Sequence, residues 1–281
     1  MAPAKSTDPK DLVKGGVLQC LEAATLGLPF EVWKTHMGTY RNESTMQAFK
    51  SVYSRGGLKA FWKGWEPKMV ESFLKGGILL FSKDAIIRAT KGFGLGEVSS
   101  GLIGGFGGGV AQVVIMGPCT YLVTAAVTSD KSVSIIGHIK KTVATQGISG
   151  FYAGGVALIL RQGTNWASRQ GLTDFVRAQF KKRYDGNPKD VQLTVVEETM
   201  SGVVGGFLST WNQPFEVMRI DAQARSAKGL PALGFVQTVK NIVTENGLLG
   251  LYQGVVPRAG ICIWQTLCMV SIPYMLKKYG F

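Results

Sequence analysis

The chain has 281 residues, of which 46% are hydrophobic and 17% are charged, and its mean hydropathy is +0.14. Charged residues are fewer than the usual ~25% and the 37 glycines are more than usual, which excludes a disordered chain, a collagen and a coiled coil. The 31 Lys and Arg residues against 18 Asp and Glu give a net charge of +13, which favours anionic partners such as nucleic acid, anionic lipid or an anionic solute.

The few cysteines and histidines predict neither a metal site nor a disulfide framework. The cysteines show no C-x-x-C spacing, and neither histidine has a second ligand nearby in the sequence: Cys20, Cys119, Cys262, Cys268, His36 and His138. No Ser-His-Asp or Cys-His arrangement is readable, so we expect no enzyme, no cofactor and no metal. The first ten residues lack an apolar core and an Arg-rich pattern, so we expect neither a signal peptide nor a cleavable transit peptide.

Six helices are predicted, and half of them carry charges that complicate a membrane assignment. In chain order they lie near residues 11–38, 68–90, 98–129, 156–182, 199–215 and 259–276. The third, fifth and sixth contain uncharged stretches of 32, 17 and 18 residues. A bilayer core of ~30 Å needs about 20 apolar residues in a helix, so hydropathy alone supports two or three spans.

A threefold internal repeat extends this prediction to six spans. The segments P-F-E-V-W-K at 29–34, P-C-T-Y-L-V at 118–123 and P-F-E-V-M-R at 214–219 begin with prolines 89 and 96 residues apart. Small residues precede each proline at fixed offsets, which lets helices approach closely in lipid, and an aromatic turn ending in glycine follows each one. These positions are Gly16 and Cys20, Gly105 and Gly109, Ser201 and Gly205, and the turn glycines Gly64, Gly154 and Gly254.

Each repeat is therefore predicted to form a helix kinked at its proline, a short amphipathic helix, the aromatic turn and a second helix. The amphipathic segments lie near 45–54, 134–145 and 233–245. Charged helices can span a membrane when their charges face a water-filled interior.

The threefold repeat, with the P-x-[DE]-x-x-[KR] motif complete in repeats one and three and uncharged in repeat two, and with a distal aromatic-glycine turn in each, resembles the mitochondrial carrier family over roughly residues 11–279. The resemblance implies an all-α membrane protein with six transmembrane helices in three pseudo-threefold repeats and short matrix helices. It also implies a location in the inner mitochondrial membrane and alternation between cytoplasmic-open and matrix-open states. We divide the chain into a short N-terminal tail, 1–10, and carrier repeats 11–92, 93–190 and 191–281.

Within the family, segments such as L-P-F-E-V-W-K-T, R-Q-G-T-N-W-A-S-R-Q-G-L and W-N-Q-P-F-E-V are similar to fungal carriers that exchange citrate for 2-oxoglutarate. The resemblance implies exchange of tri- and dicarboxylates by a monomer in contact with membrane lipid, with cardiolipin as a candidate. Two alternatives stay open: a carrier of a different anion, and a basic inner-membrane protein that binds mitochondrial DNA through Lys and Arg contacts. The basic residues are dispersed and form no visible nucleic-acid module, which favours the carrier.

The resemblance assigns the charged motif residues to a gate on the matrix side. Glu31 and Lys34 supply its charges in repeat one, and Glu216 and Arg219 supply them in repeat three, followed by a bracing Gln223. Repeat two has threonine and valine at the matching positions. In the family's pairing sense only Glu216 and Lys34 then form a complete pair, so we expect Glu31 and Arg219 to lack their usual partners and the gate to be weak.

A second set of charges matches the family's gate on the cytoplasmic side. These residues lie 20 or 23 positions beyond the turn glycines and are Asp84, Asp174, Arg177 and Lys277. The alternative interpretation is that they are ordinary charges at a membrane interface, where long basic side chains extend toward water.

Alignment on the turn glycines also predicts a substrate site. Glu71, Arg161 and Ile261 lie seven residues after their glycines, at the level where the family contacts substrate. The pair Arg161-Gln162 resembles that of carboxylate carriers, and a guanidinium can bind a carboxylate through two parallel hydrogen bonds. Glu71 either contacts the substrate or pairs with Lys75 one helical turn away. The full predicted set is Glu71, Lys75, Leu79, Arg161, Gln162, Asn165, Arg169 and Arg258.

Overall fold

The computed structural model describes residues 9–92, 97–129, 133–184, 193–231 and 233–278, and within these ranges the chain is helical with no β-strand. The α-helices are α1 Pro9–Glu22, α2 Leu28–Thr39, α3 Thr45–Ser54, α4 Trp65–Gly92, α5 Glu97–Ala111, α6 Val113–Thr128, α7 Ile135–Gln146, α8 Gly155–Lys181, α9 Val195–Leu208, α10 Gln213–Ala227, α11 Phe235–Asn246 and α12 Val255–Lys278. The predicted all-α fold with a repeated helical unit is confirmed.

The first long helix of each repeat is interrupted a few residues before its proline. A π-helical turn, Ala23–Gly27, separates α1 from α2, Gln112 separates α5 from α6, and a 3-10 turn, Ser209–Asn212, separates α9 from α10. Proline lacks an N–H and clashes with the carbonyl four residues earlier, which loosens the helix on that side. The predicted kink therefore lies upstream of each proline.

The turn glycines determine how neighbouring repeats meet. All three have positive φ angles, in the left-handed region that favours glycine: Gly64 at 76°, Gly154 at 71° and Gly254 at 81°. A Cβ on Gly64 would lie 3.1 Å from Cα of Val123, and one on Gly154 would lie 3.2 Å from Cα of Arg219. A Cβ on Gly254 would lie 3.1 Å from the carbonyl oxygen of Lys34, so close approach also requires glycine here.

These contacts close the repeats into a ring. Val123, Arg219 and Lys34 hold the same position in the three motifs, so each turn glycine packs against the motif of the next repeat and repeat three returns to repeat one. The long helices follow the same order: α4 contacts α5 and α6, α8 contacts α9 and α10, and α12 contacts α1 and α2. An apolar cluster that includes Leu28, Phe61 and Val123 fills the junction between repeats one and two.

Small residues allow the helices of the ring to approach closely. A Cβ on Gly109 would lie 3.1 Å from the carbonyl oxygen of Gln162, and one on Gly205 would lie 2.8 Å from the backbone nitrogen of Thr173. Among the described residues no single helix is both long and apolar enough to cross a membrane alone, and one bent pair, Ile135–Gln146 with Ile148–Lys181, is sufficient by length and composition together.

Candidate functional site

A cavity of about 860 Å³, a volume that includes its opening, lies inside the ring and is lined by all three repeats. Seven basic and three acidic described side chains line it: Lys34, Lys68, Lys75, Arg161, Arg169, Arg219 and Arg258 against Glu22, Glu31 and Glu71. The predicted substrate residues on this wall are Glu71, Lys75, Arg161, Gln162, Asn165, Arg169 and Arg258, while the side chain of Leu79 lies outside the described residues. The excess of positive charge makes the cavity complementary to an anion.

Three of the bases reach the cavity from three different helices. Lys75 comes from α4, Arg161 from α8 and Arg258 from α12. The Lys75 ammonium makes no hydrogen bond or ion pair with any described residue, which leaves its donors available to a ligand. Arg258 is held more firmly, because it donates to the side-chain oxygens of Asn212 and of Gln213, the latter at 2.9 Å.

Arg161 is oriented by an amide chain behind the cavity wall. Its Nη1 donates to Oε1 of Gln162 at 2.8 Å, and Gln162 donates to Oε1 of Gln112 at 3.0 Å. Gln112 in turn donates to the carbonyl oxygen of Lys75 at 2.6 Å and accepts a bond from Trp166 at 2.9 Å. Gln112 and Gln162 are almost completely buried, so this chain links the backbone of α4 to the guanidinium on α8.

Arg169 and Asn165 complete the wall near α12. Arg169 donates to Oε1 of Gln265 at 2.6 Å and to the hydroxyl of Thr266 at 3.4 Å. Asn165 accepts a 3.4 Å bond from Arg258. Both residues therefore connect α8 to α12.

Glu71 pairs with a residue that the sequence analysis missed. Its Oε2 lies 3.4 Å from Nζ of Lys68, three residues earlier on α4, and the pairing with Lys75 that was one of the two alternatives is not formed. Both side chains are on the same helical face because residues three apart are neighbours. Lys68 lies four residues after Gly64, as Arg258 lies four residues after Gly254, and this shared offset is a signal that could have identified it.

The motif charges form a buried cluster consisting of Glu31, Lys34, Glu216, Arg219 and Gln223. We call it the matrix-side cluster, after the side that the family resemblance implies for these residues. The predicted pair is present, with Nζ of Lys34 2.7 Å from Oε1 of Glu216. Glu216 is fully buried and also lies 2.9 Å from Nη2 of Arg219. A single carboxylate is thus shared between bases of repeats one and three.

Glu31 and Arg219 lack their usual partners from repeat two, as expected, but neither charge is left unpaired. Glu31 lies 2.8 Å from Nζ of Lys34, and Arg219 makes two hydrogen bonds to Glu216, in each case within one motif. The acid and base of a motif are three residues apart, which places them side by side on one turn of helix. A charge without its partner from repeat two therefore pairs within its own repeat.

Repeat two contributes hydroxyl groups to the matrix-side cluster in place of charges. Gln223 donates to the hydroxyl of Thr120 at 3.0 Å and accepts from Thr124 at 3.0 Å. Arg219 donates to the same glutamine oxygen at 2.5 Å. Val123 packs instead into the apolar cluster with Leu28. The missing charges of repeat two predict a weak gate. Hydrogen bonds from Thr120 and Thr124 nevertheless connect repeat two to the cluster.

Arg161 connects the cavity to the matrix-side cluster. Its Nε lies 3.0 Å from Oε2 of Glu216 but makes no hydrogen bond, so the contact is an ion pair whose N–H is not aimed at the carboxylate. The Arg161 side chain is 16% exposed, whereas that of Glu216 is not exposed at all. Arg161 therefore lies at the boundary between the open cavity and the matrix-side cluster, which closes one end of it.

Two of the four residues predicted for the cytoplasmic-side gate, Asp174 and Arg177, form an ion pair on one helix. Nη1 of Arg177 lies 3.1 Å from Oδ1 of Asp174, and its Nη2 lies 2.7 Å from Glu198 on α9. The side chains of Asp84 and Lys277, the other two residues predicted for this gate, lie outside the described residues. Both interpretations, a gate on the cytoplasmic side and ordinary interfacial charges, therefore stay predictions.

A closed ring of three helical repeats around a cationic cavity is the architecture of a solute carrier. The sequence model of the family described as mitochondrial carrier protein matches residues 5–92, 96–184 and 191–280. The chain belongs to the mitochondrial carrier family, and it is therefore a transporter of mitochondrial membranes.

Three relatives show which substrates occur among similar carriers. The chain is 38% identical over 280 residues to the citrate/oxoglutarate carrier protein of Saccharomyces cerevisiae, covering 96% of this chain and 89% of the relative. It is 25% identical over 272 residues to the mitochondrial citrate transporter B of Aspergillus niger, covering 92% and 89%. It is 26% identical over 289 residues to the mitochondrial thiamine pyrophosphate carrier 1 of Lodderomyces elongisporus, covering 95% and 91%.

The position of Cys262 on the cavity wall predicts a substrate-protected thiol. The four cysteines are free, and Cys262 lines the cavity whereas Cys119 is buried outside its lining. We expect methyl methanethiosulfonate to inhibit transport by modifying Cys262, and substrate to slow the reaction. Inhibition should disappear in Cys262→Ser and persist in Cys119→Ser. Inhibition that follows Cys119 instead would contradict this assignment.

Proposed function

We propose that the protein exchanges tri- and dicarboxylates across the inner mitochondrial membrane, citrate against 2-oxoglutarate or a related acid, by alternating access. The observation that carries the proposal is the placement of Lys75, Arg161 and Arg258 around one cavity. Each base comes from a different repeat, so a ligand in the centre is approached by a cation from three sides. Citrate has three carboxylates that can meet this arrangement.

The chemistry of the wall supports a carboxylate ligand in particular. Arginine presents a planar fork that matches the two oxygens of a carboxylate, and lysine adds a mobile point charge. Most ligand pockets of about 300–1,000 Å³ are lined mainly by apolar groups, whereas charged and amide groups dominate this one. A small, highly charged anion suits such a wall better than a ligand with a large apolar body.

The relatives support the same substrate class. The Saccharomyces cerevisiae relative, at 38% identity over nearly the whole chain, is named for citrate and oxoglutarate. Relatives near 25% identity include carriers named for citrate and for thiamine pyrophosphate, so family membership alone leaves the anion open.

Counter-exchange in proteoliposomes tests the proposal directly. Vesicles containing the purified protein are loaded with citrate, 2-oxoglutarate, succinate, phosphate or thiamine pyrophosphate, and uptake of labelled citrate is measured. We expect fast uptake with citrate or 2-oxoglutarate inside and background uptake with thiamine pyrophosphate or no anion inside. The proposed substrate class would be wrong if uptake stayed at background with citrate and with 2-oxoglutarate inside while another anion was exchanged. That other anion would then be the substrate.

A further inference from the structure

Glu22 is a cavity carboxylate that lacks a partner among the described residues. It is 7% exposed and lines the cavity, yet no hydrogen bond or ion pair joins its side chain to any described group. The other two acids on the wall are paired, Glu31 with Lys34 and Glu71 with Lys68. A nearly buried carboxylate that faces a cavity without a protein partner is poised to meet a donor on a ligand.

The π-helical turn is what brings Glu22 to the cavity. Glu22 and Glu31 are nine residues apart, which is about two and a half turns of an α-helix and would place them on opposite faces. The turn Ala23–Gly27 winds more slowly, so both side chains line the same cavity. A Cβ on Gly27 would lie 2.5 Å from Oε1 of Glu22, so the glycine leaves the space that this carboxylate occupies.

A contact from α12, the last helix of the chain and a neighbour of α1 in the ring, holds this turn. Nε1 of Trp264 on α12 donates to the hydroxyl of Thr25 at 2.9 Å and to the carbonyl oxygen of Glu22 at 3.3 Å. Thr25 donates back to the carbonyl oxygen of Leu21 at 2.8 Å. The irregular turn is therefore anchored at the level where Glu22 enters the cavity.

We propose that Glu22 is a specificity residue that accepts a hydrogen bond from the hydroxyl group of a hydroxycarboxylate. This inference rests on the proposed function. Carboxylates of the substrate meet Lys75, Arg161 and Arg258, and a further carboxylate pointed at Glu22 would be repelled. A hydroxyl supplies the donor that Glu22 lacks. Between two acids with the same size and the same carboxylates, a site built to bond the hydroxyl discriminates strongly against the one without it, because the polar group is then left unpaired.

The experiment compares citrate with tricarballylate, which has the same three carboxylates and no hydroxyl. Inhibition of labelled citrate exchange by each unlabelled acid gives a preference ratio for the intact protein, for Glu22→Met and for Glu22→Gln. We expect the intact protein to prefer citrate by about tenfold or more, as a hydrogen bond to a charged group provides. Glu22→Met should bring the ratio close to one, and Glu22→Gln, which keeps an acceptor oxygen, should lower it about threefold.

The controls separate this inference from the proposed function and from folding. Glu66→Gln removes one exposed negative charge outside the cavity wall and should leave the ratio unchanged. If Glu22→Met does not fold, Glu22→Gln alone decides. An unchanged ratio in the folded Glu22 variants, or an intact protein that does not discriminate, overturns the role of Glu22. Absence of any citrate exchange in the intact protein overturns the proposed function instead.

Discussion

Replacing Arg161 by lysine is expected to lower citrate exchange about a hundredfold or more. Arg161 uses separate guanidinium nitrogens for Glu216 and for Gln162 while facing the cavity. A lysine has one ammonium and cannot hold both partners and still present a planar fork to a carboxylate. A hydrogen bond to a charged group contributes about 1.5–3 kcal/mol, so losing the bond to Gln162 and one arm of the fork amounts to about a hundredfold or more at about 1.4 kcal/mol for each factor of ten.

The measurement is the initial rate of labelled citrate uptake into citrate-loaded proteoliposomes. Arg183→Lys, which makes the same change at an exposed position beyond α8, should transport normally. Gln162→Ala should have a smaller effect, because it frees Nη1 of Arg161 but keeps the charge, and it should alter the preference between citrate and smaller diacids. Exchange by Arg161→Lys at nearly the normal rate would remove Arg161 from the site.

Replacing Glu216 by glutamine is expected to destabilise the closed matrix side by about 3–5 kcal/mol, the typical effect of removing one partner from a buried ion pair. Glu216 is fully buried and lies within 3.0 Å of basic nitrogens from three residues: Lys34, Arg161 and Arg219. Its neutral amide would leave these cations with Glu31 as the remaining acid of the cluster. The carrier should then open more readily toward the matrix.

Two measurements test the Glu216→Gln prediction. The apparent melting temperature in detergent should fall by several degrees, and a cysteine introduced by Val127→Cys should become reactive from the matrix side. Val127 is 3% exposed in the intact protein. Glu198→Gln breaks a half-exposed pair with Arg177 and should change stability by less than about 1 kcal/mol. If Glu216→Gln and Glu198→Gln lowered the melting temperature equally, Glu216 would not be the main stabilising acid of the matrix-side cluster.

The repeat architecture could be predicted because its signals are local and recur. Proline and glycine constrain the backbone wherever they occur, so three prolines and three turn glycines at matching offsets indicate the ring. The turn Ala23–Gly27 could not be predicted, since no residue type marks a π-helical turn. The regular 3.6-residue period of an α-helix then places Glu22 on the wrong face of its helix.

The residues that line the candidate site could be predicted from the sequence better than the contacts between them. Position relative to the turn glycines identifies Arg161 and Arg258 on the cavity wall. The amide chain behind Arg161 depends on Gln112, which is 50 residues from Gln162 and on a different helix. Pairings such as Glu71 with Lys68 depend on rotamers and on nearby charges, which sequence spacing alone does not determine.

The contact between Arg161 and Glu216 makes substrate binding a competition. A carboxylate that takes Arg161 as its partner, as proposed, draws the same guanidinium away from the acid at the centre of the matrix-side cluster. The closed end is then weakened only while the cavity is occupied. When the cavity is empty, Arg161 stays paired with Glu216 and the closed end is not weakened. The unloaded carrier is therefore not expected to change from one open state to the other readily. If Arg161 binds substrate as proposed, we therefore expect one-for-one exchange with little leak, because one side chain has two alternative acidic partners.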